Sequence, residues 1–197
     1  MESGLAIKNE SENKMCTIAF SAKDSSGNKF VITAGHCSTN TGVTFSQGGT
    51  NFGTVTQTID NAKVDALKIQ LTNPSHASYF LYEPGGNLGG GFIDETEQSE
   101  AIAGDPVCFS GYKSGVQCGT IINPDYTFLP TFERVGLANM LGEHGDSGSG
   151  IYGDQMFTTY NIHGVLSGID SFNRIVYSSI THVKSALGIT PITESSP

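Results

Sequence analysis

At 197 residues the chain can bury a core as one domain or as two small subdomains sharing a cleft. Only 15% of it is charged and 25 residues are glycine, which excludes a charge-rich disordered chain and a long-helix protein. A net charge of -9 with ten Lys and Arg leaves too little clustered positive charge for phosphate backbones and disfavours an anionic membrane surface, so neither nucleic acid nor membrane is an expected partner.

In chain order, Met1 to Met15 is polar and holds no apolar signal core; either a leader is missing from this chain or the protein is cytosolic. Strand-like runs follow at Thr17–Phe20, Lys29–Thr33, Val43–Phe45, Gly53–Ile59 and Ala66–Leu71, separated by turn residues such as Ser25–Asn28 and Gly48–Gly49. The glycine-rich stretch 83–91 is the strongest punctuation, and it sets an expected division into residues 1–90 and 91–197. Residues 94–100 are acidic and expected to be exposed. Strands resume at Val107–Phe109, Gln117–Ile122, Phe128–Phe132, Gly150–Tyr152, His163–Ser167 and Ile175–Ser178. One helix is predicted over Ser179–Leu187, with Ile180, Val183 and Leu187 at helical spacing and Gly188 as its stop. The class is all-β; pattern alone fits two packed antiparallel barrels or a single sandwich.

The four cysteines fall as Cys16 with Cys37 and Cys108 with Cys118, and none forms a C-x-x-C pair. They read as two disulfides and an oxidising compartment, against four reduced core thiols as the plainer reading. No spacing supports a metal site. His76, His163 and His182 are expected to be structural, and Asn9-Glu10-Ser11 matches a glycosylation acceptor triplet that chance often supplies.

Three segments carry chemistry. Gly145-Asp146-Ser147-Gly148 would expose a serine at a tight bend, with the N–H groups of Gly145 and Ser147 free to hold an oxyanion. Thr33-Ala34-Gly35-His36-Cys37 puts a histidine at a strand end, where a tie from Cys37 to Cys16 would fix a general base. Asp65 opens an apolar strand, and an acid there needs a partner such as a buried imidazole; Asp60, its nearest competitor, lacks the following strand. The order His, Asp, Ser separates this arrangement from those of subtilisin and the α/β-hydrolases.

With these motifs, and with V-C-F-S-G-Y-K-S-G-V-Q-C-G at 107–119, the chain from about Cys16 to Leu187 resembles the chymotrypsin-like (trypsin-like) serine peptidases. Within them it is most similar to the secreted microbial branch that includes streptogrisins and α-lytic protease. The resemblance implies two six-stranded antiparallel β-barrels with a C-terminal helix and a cleft between the barrels. It implies His36 as base, Asp65 as its orienter and Ser147 as nucleophile in an acyl-enzyme route, with no cofactor or metal. It implies disulfides Cys16–Cys37 and Cys108–Cys118. It places Val165, Leu166, Ser167 and Gly168 on the strand that pairs with substrate, with His144 and Ile169 at the primary pocket. It further implies a secreted monomer acting on protein or peptide substrates, with a pro-segment or inhibitor as a further partner.

Departures from the family's pattern carry expectations of their own. Phe109 stands where microbial relatives often have the arginine that pairs with the aspartate of G-D-S-G, so Asp146 is expected to lack its usual partner, with Lys113 and Arg134 as substitutes. An unpinned Asp146 would leave the oxyanion hole unformed, giving a catalytically inactive or zymogen-like binding protein as the alternative. A free amino terminus of the trypsin kind is not expected to serve Asp146. Ser149 replaces a frequent glycine. Ile169 should narrow the pocket mouth, and no acidic floor for Arg or Lys is evident, which favours small or medium apolar P1 residues. His144 could instead meet an acidic P1 side chain.

Overall fold

The structure is a computed structural model that describes residues 1–82, 92–93, 102–128, 132–154 and 159–195. The expected boundary at 83–91, the acidic stretch 94–100 and residues 129–131 of one predicted strand lie outside the described residues.

The first half contributes β1 (Ala6–Asn9), β2 (Lys14–Thr17), β3 (Phe20–Lys23), β4 (Lys29–Thr33), β5 (Thr44–Gln47), β6 (Thr50–Asp60) and β7 (Asp65–Leu71). Their hydrogen-bonded order is β3-β4-β7-β6-β5-β1-β2, all antiparallel. The two ends of that order, β2 and β3, are consecutive in the chain and joined by buried Ile18 and Ala19. The sheet thus closes through a single bent strand, with the Ile18 N–H donating to Leu5 O on one side and the Ala19 N–H to Ile32 O on the other. The predicted strand Thr17–Phe20 is the bend itself: its middle residues turn from one edge to the other instead of pairing along their length.

The second half contributes β8 (Phe92–Ile93), β9 (Pro106–Gly111), β10 (Gly115–Phe128), β11 (Phe132–Leu141), β12 (Gly150–Asp154), β13 (Thr159–Ile169) and β14 (Arg174–Ser179). The order β12-β9-β10-β11-β14-β13 returns on itself through a β12–β13 pairing, making a closed six-stranded barrel. Helix α1 (Ile180–Leu187) follows, capped by Ser179, whose hydroxyl accepts the His182 N–H, and stopped at Gly188 with φ +63°. The short β15 (Thr190–Pro191) then pairs back on β3, tying the chain end to the first barrel.

Alternation decides which faces are buried. In β7, Leu67, Ile69 and Leu71 point into the first barrel with Ile7, Ile18, Val31 and Phe45, while Lys68 and Gln70 are less buried. The second barrel is filled by Val107, Phe109, Ile121, Ile151, Ile175 and Tyr177. A third cluster draws on both sheets and on the helix: Phe20 and Ile32 meet Tyr152, Ile162, Val165, Ile180, Val183 and Leu187. Burial of each large side chain contributes roughly 1.5–3 kcal/mol, so the two barrels are joined by a core of their own. Both predicted disulfides are present, Cys16–Cys37 and Cys108–Cys118. Asn9, the acceptor of the glycosylation triplet, is fully buried, and its side-chain amide donates to Cys37 O.

Candidate active site

His36 sits in a single 3-10 turn, Gly35–Cys37, directly after β4. The turn is held from several directions: Lys14 Nζ donates to His36 O at 2.7 Å, Asn9 Nδ2 to Cys37 O at 2.9 Å, Thr58 Oγ1 to Gly35 O at 3.1 Å, and Cys37 is bonded to Cys16. Asp65, the first residue of β7, is 3% exposed. Its Oδ1 accepts the His36 backbone N–H and its Oδ2 meets His36 Nδ1, each at 2.7 Å. The carboxylate therefore fixes both the backbone and the ring of the histidine. An N–H on Nδ1 toward Asp65 leaves Nε2 with its lone pair, the form a general base requires.

Asp65 is held in turn from the second barrel. Its N–H donates to Ser178 Oγ at 2.9 Å, and Ser178 Oγ lies 3.0 Å from Ser167 Oγ. Asp60 faces Asp65 across the β6–β7 ladder. Partial burial and then the charge of Asp65 push the Asp60 carboxyl above the ordinary aspartate value.

Ser147 follows a tight bend between β11 and β12. Gly148 after it has φ +89°, and a Cβ there would fall 1.9 Å from Thr33 Oγ1 and 2.6 Å from Thr17 O, so the bend packs directly on the strand that leads to His36. The Gly148 N–H donates to Leu166 O and the Leu166 N–H to Ser149 O, joining the bend to β13. Among the described residues, the N–H groups of Gly145 and Ser147 donate to no protein acceptor.

One cleft of about 640 Å³ is lined by His36, Ser147 and Gly145 together with His144, Leu166, Ser167, Gly168 and Ile169. Val165, expected beside them, is fully buried in the cluster between the barrels, because alternation along β13 turns it away from the cleft that Leu166 reaches. Ser147 and His36 face the same cleft with no direct hydrogen bond between their side chains among the described residues; such bonds are commonly long without substrate. Lys14, Met15, Tyr112 and Lys113 also line the cleft, and none of them was expected there from the sequence.

The expectation that Asp146 lacks a partner is corrected. Its fully buried carboxylate accepts four hydrogen bonds, from the N–H groups of Lys113, Ser114 and Glu143 and from the Ser114 hydroxyl. Lys113 thus contributes its backbone where its ammonium was expected, and the side chain of Arg134 lies outside the described residues. The Met1 ammonium donates to His76 O. Ser149 braces the bend from inside, its hydroxyl donating to Asp146 O at 2.7 Å.

Nearly the whole chain aligns with microbial proteases of known structure. This is the chymotrypsin-like protease fold. The protease of Nocardiopsis, NAPase, aligns at TM-score 0.81 and 24% identity, over 96% of this chain and 97% of that one. Protease A of Thermobifida fusca aligns at TM-score 0.80 and 25% identity, over 98% of each chain. A glutamic-acid-specific serine protease described as using a histidine triad in substrate binding aligns at TM-score 0.80 and 22% identity, over 97% of this chain and the whole of its own. No family model matches the chain. Within the chymotrypsin-like fold, the cleft described here lies where the two barrels meet, since β2 and β4 approach it from one and β13 from the other.

Proposed function

We propose that this chain is a serine endopeptidase in which His36, Asp65 and Ser147 form the catalytic triad. The observation that carries this reading is the doubly bonded His36–Asp65 pair, opening on a cleft that is also lined by Ser147 and Gly145, whose N–H groups meet no acceptor among the described residues. Ser147 Oγ attacks the scissile carbonyl carbon while His36 Nε2 takes its proton and Asp65 stabilises the imidazolium. The carbonyl oxygen, now an oxyanion, is held by the N–H groups of Gly145 and Ser147, donors of a kind worth about 3–4 kcal/mol each in the transition state. Collapse expels the amine with the proton from His36 and leaves an acyl-enzyme on Ser147. Water, deprotonated by His36, then releases the acid.

Protein or peptide substrates with small or medium apolar P1 residues fit the Leu166, Gly168 and Ile169 side of the cleft. Of the chain's histidines only His36 and His144 line it, which supports an apolar pocket over a three-histidine acidic one. The reading extends to an extracellular enzyme acting as a monomer; the two disulfides support the oxidising compartment. The four hydrogen bonds on Asp146 remove the reason for the inactive alternative.

The test is labelling with a fluorophosphonate serine-hydrolase probe. Wild type should label, and Ser147→Ala and His36→Ala should each lose labelling while keeping the wild-type circular dichroism spectrum. A folded, disulfide-bonded wild type that fails to label would overturn the reading.

A further inference from the structure

We propose that Ser114 is a positioning residue for the oxyanion hole, its hydroxyl anchoring the buried Asp146 carboxylate and thereby aiming the Gly145 and Ser147 N–H groups. The inference rests on the peptidase reading above. Asp146 lies between the two donors in the chain, so the direction of its side chain constrains the peptide planes on either side. That carboxylate is fully buried, where an ion short of hydrogen bonds is costly. It is instead saturated. Oδ1 accepts the N–H groups of Lys113 and Ser114 at 2.8 and 3.0 Å, and Oδ2 accepts the Glu143 N–H at 2.8 Å and the Ser114 hydroxyl at 2.5 Å. Among the described residues Ser114 is the one that donates twice, and the only one that donates from a side chain.

The surroundings leave the carboxylate no other place. A Cβ at Gly111 would lie 2.4 Å from Asp146 Oδ1 and 2.9 Å from Phe109 Cε2, so the ring of Phe109 walls the carboxylate on one side. Phe109 therefore fills space beside Asp146, and charge compensation passes to the turn at 112–114. The same turn reaches the bend a second way. The Tyr112 N–H donates to Thr17 Oγ1 at 3.1 Å, and Thr17 Oγ1 donates to Gly145 O at 2.9 Å. The Thr17 N–H donates to Ser147 O, and the Ser149 N–H and hydroxyl donate to Asp146 O. Every carbonyl from Gly145 to Ser147 is thus held, and the Asp146 carbonyl shares its peptide plane with the Ser147 N–H. Among the described donors to the carboxylate itself, the Ser114 hydroxyl is the one that a single side-chain change removes while the backbone donors stay.

The test compares wild type, Ser114→Ala and Ser114→Thr in the full chain. Three quantities are read: the amide resonances of Gly145 and Ser147, kcat and KM on one peptide substrate, and affinity for a peptide aldehyde, whose serine adduct places an oxygen in the oxyanion site. Loosening both donors without deleting either should lower kcat in Ser114→Ala by about tenfold, less than the loss from removing a donor outright. KM should stay within about twofold, because the lost interaction is made in the transition state. Aldehyde affinity should fall in step with kcat, the two amide resonances should shift, and Ser114→Thr should restore all three. Unchanged kcat, or a loss confined to KM, or a fall in melting temperature with unmoved amides and intact aldehyde affinity, would sink the proposal. A wild type that cleaves nothing overturns the peptidase reading separately. In that case shifted amides restored by Thr still support the anchoring, and unmoved amides overturn it.

Discussion

Asp65 meets His36 through two oxygens, one on the backbone N–H and one on the ring. Asp65→Asn keeps the shape but offers an amide NH₂ toward the imidazole, which favours the tautomer with its proton on Nε2. The variant should fold normally and lose roughly 10⁴-fold in kcat, as the equivalent change does elsewhere by removing the base while leaving the oxyanion hole. Steady-state kinetics on a peptide substrate would check this, and a loss below about tenfold would assign Asp65 a structural role only. The residues of this pair were legible in the sequence because each stands in a local motif: T-A-G-H-C at a strand end, and an acid opening an apolar strand. Ser178, which holds the Asp65 N–H, was not legible, because it is 113 residues away in the chain and arrives only when the second barrel packs on the first. Ser114 was hidden differently: it lies 32 residues from Asp146 within the same barrel, and a buried carboxylate leads a reader to look for cations, while backbone N–H groups have no letter in a sequence.

At the scale of elements, the hairpin between β13 and β14 carries Ile169 at its start, on the cleft wall. Its turn is closed by Asp170, 6% exposed, whose Oδ1 accepts the N–H groups of Phe172 and Arg174 and whose Oδ2 meets the Arg174 guanidinium. Burial opposes ionisation of Asp170, but the Arg174 side chain and these N–H groups outweigh it and hold its carboxyl below the ordinary aspartate value. A folded value below the unfolded one means that the stabilisation is complete above the unfolded value near 4 and is lost as pH falls through the folded value. Asp170→Asn should therefore cost about 1–2 kcal/mol at pH 7, on the scale of hydrogen bonds to charged groups, and much less near pH 2. Thermal melts at the two pH values test it; an equal penalty at both would remove the ionic explanation. The helix and the compact strands were readable from periodicity and caps. The strand expected at Gln117–Ile122 runs further in the structure, through Asn123-Pro124-Asp125 to Phe128. In the structure these residues lie inside β10, where the pairing with β11 shifts register on both sides of Asn123, and a register shift is where a strand tolerates proline.

The division of the whole molecule into two barrels invites the expectation of two independent folding units, and the packing argues against it. The cluster of Phe20, Ile32, Tyr152, Ile162, Val165 and Val183 takes residues from both sheets and the helix, and β15 returns to pair with β3. Neither barrel can lose its fold without exposing that shared core. The disulfides bear on the two halves differently. Cys108–Cys118 links directly opposed residues of the β9–β10 hairpin, with a sequence separation of 10, so it closes a loop the strand pairing already closes. Cys16–Cys37 spans a separation of 21 and ties the bent closing strand to the turn that bears His36. Removing it as Cys16→Ala/Cys37→Ala should destabilise by about 3 kcal/mol on the chain-entropy model. For a chain of this size that lowers the melting temperature by roughly 6–12 °C. Because the shared core couples the halves, the loss should appear in one transition of the entire chain, with calorimetric and van't Hoff enthalpies equal as in wild type. Scanning calorimetry of the double variant decides the matter. A first-barrel transition separating below an unshifted second one would mean that the core between the barrels is too weak to couple them, and that the loosened histidine turn melts without disturbing the serine bend.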